Sequence, residues 1–160
     1  MVSVGRCFKM FDIPQENEEA KLQLPERAYN NWPQKGNVSF NDVKLRYRPN
    51  TDLVLKGVDF DIKGGHKVGI VGRTGAGKST MSLALSRIVE IESGSIVIDG
   101  VDISKMPLKT LREKITIIPQ DPTLFTGSLR FNIDPEGLVS DTEIVNLLAE
   151  AGLEDLLNRE

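Results

Sequence analysis

Eight consecutive residues, Gly72-Arg73-Thr74-Gly75-Ala76-Gly77-Lys78-Ser79, fit the pattern GxxxxGK[ST] at every fixed position. Each residue type in it has a physical task. Glycines let the backbone bend tightly and bring its N–H groups to phosphate oxygens. A helix starting near Gly77 sets the positive end of its dipole beneath the anion. Lys78 can reach the β- and γ-phosphates of a nucleoside triphosphate, and the Ser79 hydroxyl is placed to ligate Mg2+. The context agrees: Lys67–Val71 reads as a short apolar strand entering the loop, and Lys78–Ile88 reads as a helix leaving it. On that helix Met81, Ala84, Leu85 and Ile88 fall at i, i+3, i+4 and i+7 and supply an apolar stripe.

Composition removes most other chemistries. The chain has 160 residues, room for one domain at about 100–200 residues each. Its hydrophobic content of 39% and charged content of 27% suit a packed globular chain. A net charge of −3 gives no basic surplus to attract nucleic acid, which is not expected as a partner. One cysteine, Cys7, excludes an internal disulfide and a cysteine zinc site. One histidine, His66, flanks a turn and offers no obvious catalytic pair. No apolar run approaches the roughly 20 residues that span a bilayer. From Asp134 onward eight acids face one base, Arg159, and read as an acidic solvated helix face.

The elements that must position the loop can be read on either side of it. Residues 1–36 form a connector, with Pro14, Pro25 and Pro33 and no sustained period. Val38, Phe40, Val43, Leu45 and Tyr47 alternate with polar residues, but the phase slips at Asn41-Asp42, as in a strand with a bulge. Leu53–Ile62 is a second extended segment before the Gly64-Gly65 turn. Ser95–Ile98 is a strand closed by the Asp99-Gly100 turn, and Pro107–Lys114 a short helix opened by proline. Ile115–Ile118 is a strand ending at Pro119-Gln120. Ser140 and Glu143 make a capping box for a helix over Asp141–Ala151, with Gly152 at its stop.

A GTPase would carry an NKxD motif to read its base, and none is present. Asp134-Pro135-Glu136-Gly137 spells DxxG but follows no apolar strand, so it is a decoy. The text around the loop is more specific. Gly69-Ile70-Val71 with the loop, Gly94–Gly100, and Ile115-Thr116-Ile117-Ile118-Pro119-Gln120-Asp121-Pro122 resemble the ATP-binding cassette of ABC transporters. Phe125–Pro135 resembles the multidrug-resistance-associated subfamily, in the second of its two cassettes. Trp32-Pro33 with Gly36 resembles the linker entering that cassette. Val2–Arg6 resembles the stretch after the last membrane-spanning helix, with Gly5 where that family usually has Glu.

The resemblance implies roles residue by residue. Tyr47 matches the aromatic that stacks on adenine, the alternative being a tyrosine packed on its strand. Gly72, Arg73, Thr74, Gly75, Ala76, Gly77, Lys78, Ser79 and Thr80 hold the triphosphate of ATP, with Ser79 on Mg2+. Gln120 matches the glutamine that reaches Mg2+ and the attacking water, or else merely closes a strand. Lys78 and Gln120 are then the catalytic candidates within these residues. Leu124–Leu129 matches the surface on which a coupling helix of the transmembrane domain rests, or is a plain loop.

The departures bear on turnover. The resemblance implies an LSGGQ-type signature, an apolar strand ending in Asp-Glu and a switch histidine, and these 160 residues contain none of them. His66 precedes the loop and cannot be the switch. The expected fold is α/β: a P-loop NTPase cassette with an antiparallel β subdomain over residues 37–160, truncated before the signature and the Asp-Glu strand. The expected function is the ATP-binding portion of a transporter cassette at the cytoplasmic face of a membrane, working with an opposing nucleotide-binding domain. The alternatives are a nucleotide-binding regulatory module without turnover and an unrelated P-loop kinase.

Overall fold

The structure is a computed structural model and describes Met10 and residues 31–158. Cys7, Val2–Arg6 and most of the connector lie outside the described residues. The chain divides into two compact units, Met1–Ile117 and Ile118–Glu160.

The first unit is built on an antiparallel sheet of β1 (Val38–Leu45), β2 (Leu55–Ile62), β3 (Ser93–Ile98) and β4 (Val101–Asp102), in the order β2-β1-β3-β4. The phase slip in β1 is a bulge. Phe40 pairs with Phe60 and the next partnership is Val43 with Val58, so Asn41 and Asp42 bulge outward. This keeps Phe40, Val43 and Leu45 buried although two polar residues separate the first two. Asp42 has φ 43°, and its N–H donates to Asp59 Oδ1 at 2.7 Å. The bulged backbone presses on β3, where a Cβ at residue 94 would stand 2.4 Å from the Asp42 carbonyl oxygen. With φ +89° as well, Gly94 is the residue this register requires. Phe40 and Phe60 stack across the strands with centroids 4.5 Å apart.

Helix α1 (Lys78–Leu85) follows the loop, and a 3-10 turn over Ile103–Lys105 leads to α2 (Leu108–Lys114). Trp32, Phe40, Val43, Leu45, Leu55, Ala84, Ile96, Ile98, Ile103, Met106 and Leu111 form one core, so sheet and both helices share it. The helix expected to reach Ile88 stops at Leu85, because Arg87 turns to φ 52° and leaves Ile88 58% exposed. Its terminal carbonyls are answered locally, Ser82 O by the Ser86 N–H, Leu83 O by the Ile88 N–H and Ala84 O by the Arg87 N–H. The carbonyls of the two residues after the helix are answered from α2: Arg112 donates to Ser86 O at 3.2 Å and to Arg87 O at 2.9 Å. Arg87, itself buried, sends its guanidinium to Ile103 O and Met106 O at 3.0 and 2.9 Å, and pairs with Glu90.

Trp32 is buried and donates from Nε1 to Ile98 O at 2.8 Å. The N–H groups of Gln34, Lys35 and Gly36 converge on Asp99 Oδ2 at 2.7, 2.7 and 2.9 Å, and that of Asn37 reaches Oδ1 at 2.8 Å. The described end of the connector is thus bound to the turn after β3.

Two expected strands do not form. Lys67–Val71 and Ile115–Ile118 have no strand partner among the described residues, and Val71 and Ile118 are 97% and 90% exposed. A strand persists only where neighbouring backbone answers its N–H and C=O groups. The resemblance places an Asp-Glu strand between these two, and no described residues supply it. The antiparallel part of the expected fold is present, while among the described residues its parallel strands are not.

In the second unit, α3 (Leu129–Ile133) is capped by Ser128, which accepts the Phe131 N–H at 3.1 Å. Helix α4 (Asp141–Glu150) carries the expected capping box between Ser140 and Glu143 and buries Ile144 and Leu148. Its stop is as expected within one residue: Gly152 N–H reaches Ala149 O and Leu153 N–H reaches Leu148 O, at 3.0 and 2.8 Å. Asp134, the first residue of the DxxG string, is buried and committed to the Val139 and Leu138 N–H groups.

Candidate phosphate-binding site

Loop 72–77 closes on itself before α1 begins. Ala76 N–H donates to Arg73 O at 3.1 Å, which makes the turn at its tip. Lys78 folds back across the loop and donates from Nζ to Gly72 O at 2.7 Å and Arg73 O at 2.8 Å. The ammonium is therefore held over the loop that surrounds it rather than projecting into solvent. Gly77 is the N-cap of α1 with φ 84°, and a Cβ there would stand 2.9 Å from Leu55 Cδ2. Only glycine allows both the left-handed turn and that close approach to β2.

No side chain caps the start of α1, and its first turn contains no acid. The first N–H groups of a helix have no partner inside it, so they face outward with the positive end of the dipole. Ser79, second in the helix, is exposed, while Thr80 is 4% exposed. The Tyr47 hydroxyl lies 2.8 Å from Thr80 Oγ1, and the Tyr47 ring is 50% exposed. Beside it an open cleft of about 470 Å³ is lined by Arg46, Tyr47, Arg48, Pro49, Asn50, Glu90 and Glu92.

The residues present fit a nucleoside triphosphate with Mg2+. An uncapped helix start, glycines at the turn and one ammonium across the loop offer donors and positive charge, with no carboxylate in the loop or the first helical turn to oppose them. Among the described residues no group of three or more His, Cys, Asp or Glu side chains could hold a metal. Mg2+ suits such a place, since it keeps several waters and takes oxygens from phosphates and one or two side chains rather than from a protein cage. Ser79 is the hydroxyl placed for that task.

The first unit thus brings Tyr47 together with Gly72–Thr80, which are separated in sequence by β2 and the residues after it. Gln120 stands in the second unit, exposed in a bend after Pro119. In the same unit Leu124 and Phe125 are 82% and 66% exposed, and the Asn132 side chain shapes their loop by bonding Phe125 N and O at 2.7 and 2.9 Å. His66 is exposed, as its place at a turn implies. Sequence reading missed Leu55 as the support beneath Gly77 and Thr80 as the partner of Tyr47. Periodicity marked Leu55 as apolar, but nothing in the spacing paired these residues.

A glycine turn, an uncapped helix and a lysine folded over the loop are the features of the loop that gives P-loop NTPases their name. A profile of the ABC transporter family matches residues 55–160. The chain belongs to the ABC transporter family. It is similar to ATP-binding cassette sub-family C member 2 of Homo sapiens, 51% identical over 157 residues that cover 98% of this chain and 10% of that protein. The corresponding protein of Rattus norvegicus is 47% identical over 158 residues, 99% of this chain and 10% of its own length. The ATP-dependent bile acid permease of Saccharomyces cerevisiae is 46% identical over 168 residues, 100% of this chain and 10% of its own length. The chain therefore spans about a tenth of the length of these relatives. No helix among the described residues is long and apolar enough to cross a membrane.

Proposed function

We propose that this chain is the ATP-binding portion of the second nucleotide-binding cassette of a sub-family C transporter. Residues 1–36 serve as the linker from a membrane domain and residues 37–160 as part of the cassette. The observation that carries the reading is the complete loop Gly72–Ser79, closed by Lys78 and opening α1, with an aromatic hydroxyl tied to the same helix turn. The relatives support the transporter setting, and none of their names points to a regulatory module or a kinase.

In this reading the backbone N–H groups of the loop and of the first turn of α1 surround the phosphates. Lys78 leaves its two carbonyl partners for phosphate oxygens, Ser79 ligates Mg2+, and the Tyr47 ring supports the adenine. Mg2+ held by Ser79 would supply positive charge against the phosphates. The resemblance gives Gln120 the role of reaching that ion and the attacking water. The exposed Leu124–Leu129 segment receives a coupling helix of the transmembrane domain, which puts the cassette at the cytoplasmic face. An opposing nucleotide-binding domain completes the site. By analogy with the bile acid permease, the cargo is an organic anion or conjugate.

An equilibrium titration of the chain with Mg·ATP tests the reading. Saturable binding that weakens at least about tenfold in Lys78→Ala is expected, since a charge-assisted contact contributes roughly 1.5–3 kcal/mol. Equal binding by wild type and variant overturns it.

A further inference from the structure

Tyr47 is held at both ends of its side chain. Its hydroxyl meets Thr80 Oγ1 at 2.8 Å. Its backbone lies in a segment fastened on either side, because Val54 N–H donates to Leu45 O at 2.8 Å and Arg46 donates to Thr51 O at 2.8 Å. Arg46 also pairs with Glu92. The ring between these two anchors is 50% exposed, so it has a surface open to a ligand but little freedom to turn. Thr80, in contrast, is almost fully buried and is third in α1, in the same helix turn as Lys78 and Ser79. The orientation of the ring is therefore referenced to the turn that holds the phosphates.

We propose that Thr80 is a positioning residue for base recognition, its hydroxyl holding the Tyr47 ring in place so that a nucleobase meets a preset stacking surface. This rests on the reading of the site as a nucleotide site. Phenylalanine at position 47 keeps the same π-face and loses the tie. Immobilising one side chain on binding costs enough to change affinity by about three- to tenfold, and the tie removes that cost in advance.

The test is binding of two probes to the full chain, Mg·ATP and Mg·tripolyphosphate. The ratio of the two affinities isolates the base and cancels whatever Thr80 contributes to the phosphates. In Thr80→Val the ratio falls about three- to tenfold, and in Thr80→Ser, which keeps the hydroxyl, it is retained. Tyr47→Phe falls by the same factor, and the double variant falls no further, because both single changes remove one and the same bond. Tyr47→Phe alters only a half-exposed ring and remains readable should Thr80→Val fail to fold. An unchanged ratio in Tyr47→Phe, losses that multiply in the double variant, or a wild-type ratio of one overturns the proposal while leaving the nucleotide site intact. A wild-type chain that binds neither probe removes the nucleotide-site reading and this inference with it.

Discussion

Arg112 donates to the backbone carbonyl of Arg87 at 2.9 Å, so the turn that follows the P-loop helix is held by a residue of α2. Arg87 in turn fastens the 3-10 turn and the residue after it through Ile103 O and Met106 O. The two arginines thus add polar ties between the end of α1, α2 and the turn between β4 and α2, beside the apolar core these elements share. The chain leaving α1 is thereby fixed by hydrogen bonds to main-chain carbonyls.

Arg87→Met tests this arrangement. The substitution keeps most of the apolar stem but leaves two carbonyls without their donor inside the fold. A loss of about 2–4 kcal/mol is expected, since each buried polar group left unpaired costs roughly 1–3 kcal/mol. Urea unfolding of wild type and variant measures it, and a difference below about 0.5 kcal/mol, the size of an ordinary surface change, would show that water replaces the guanidinium freely.

Asp99 makes stability depend on acid. Its carboxyl is held well below the usual carboxylate range, first by the Gly36 N–H and then by those of Lys35 and Asn37, against an opposing effect of burial. A depressed folded value means that the ionised form is favoured in the folded chain. Its contribution is complete above the unfolded carboxylate pKa of about 3.9 and is lost as pH falls below that toward the folded value. Asp99→Asn, which cannot accept the same set of N–H donors, should lower the unfolding midpoint at pH 7 and flatten its fall between about pH 5 and pH 2. Parallel pH profiles for the two proteins would remove Asp99 from this role.

Hydrogen exchange should separate the paired strands from the unpaired ones. Amides in β1 and β3 that serve the ladder should exchange slowly, and those of residues 67–71 and 116–118 should exchange near the rate of open chain. Equal protection in the two groups would mean that the apolar segments find partners in solution.

The chain by itself should release no phosphate from ATP above a Lys78→Ala control. Phosphoryl transfer draws its acceleration from groups arranged around the developing charge, and these residues contain neither the Asp-Glu strand nor the signature. Lys78-dependent turnover would show that Gln120 and the loop suffice.

How far the sequence could be read depended on whether a feature was local. The capping box at Ser140 and Glu143, the bulge at Asn41-Asp42 and the loop Gly72–Ser79 all depend on residues close together in the chain, and each stands where spacing put it. Lys67–Val71 and Ile115–Ile118 have the composition of buried strands, but a strand also needs a neighbour, which composition cannot supply. The Tyr47–Thr80 and Asp99–Gly36 bonds join residues far apart and involve single polar atoms, so no periodicity announces them. The helix read as far as Ile88 ends at Leu85 because Arg87 takes a left-handed backbone and bonds to distant carbonyls, which spacing along the helix does not reveal.

The clamp between Trp32, Gln34–Asn37 and the turn after β3 also decides how the sheet carries load. Tension entering the chain at residue 31 meets Trp32 Nε1 on Ile98 O, then N–H groups gathered on one carboxylate, before it reaches the first β1 pairing at Val38. A strand pulled from its end unzips one bond at a time, whereas bonds strained side by side must break together and so resist a larger force. A tug on the incoming chain is therefore delivered as a pull on the turn after β3, shared among several bonds, before any of it reaches the first pairing of β1.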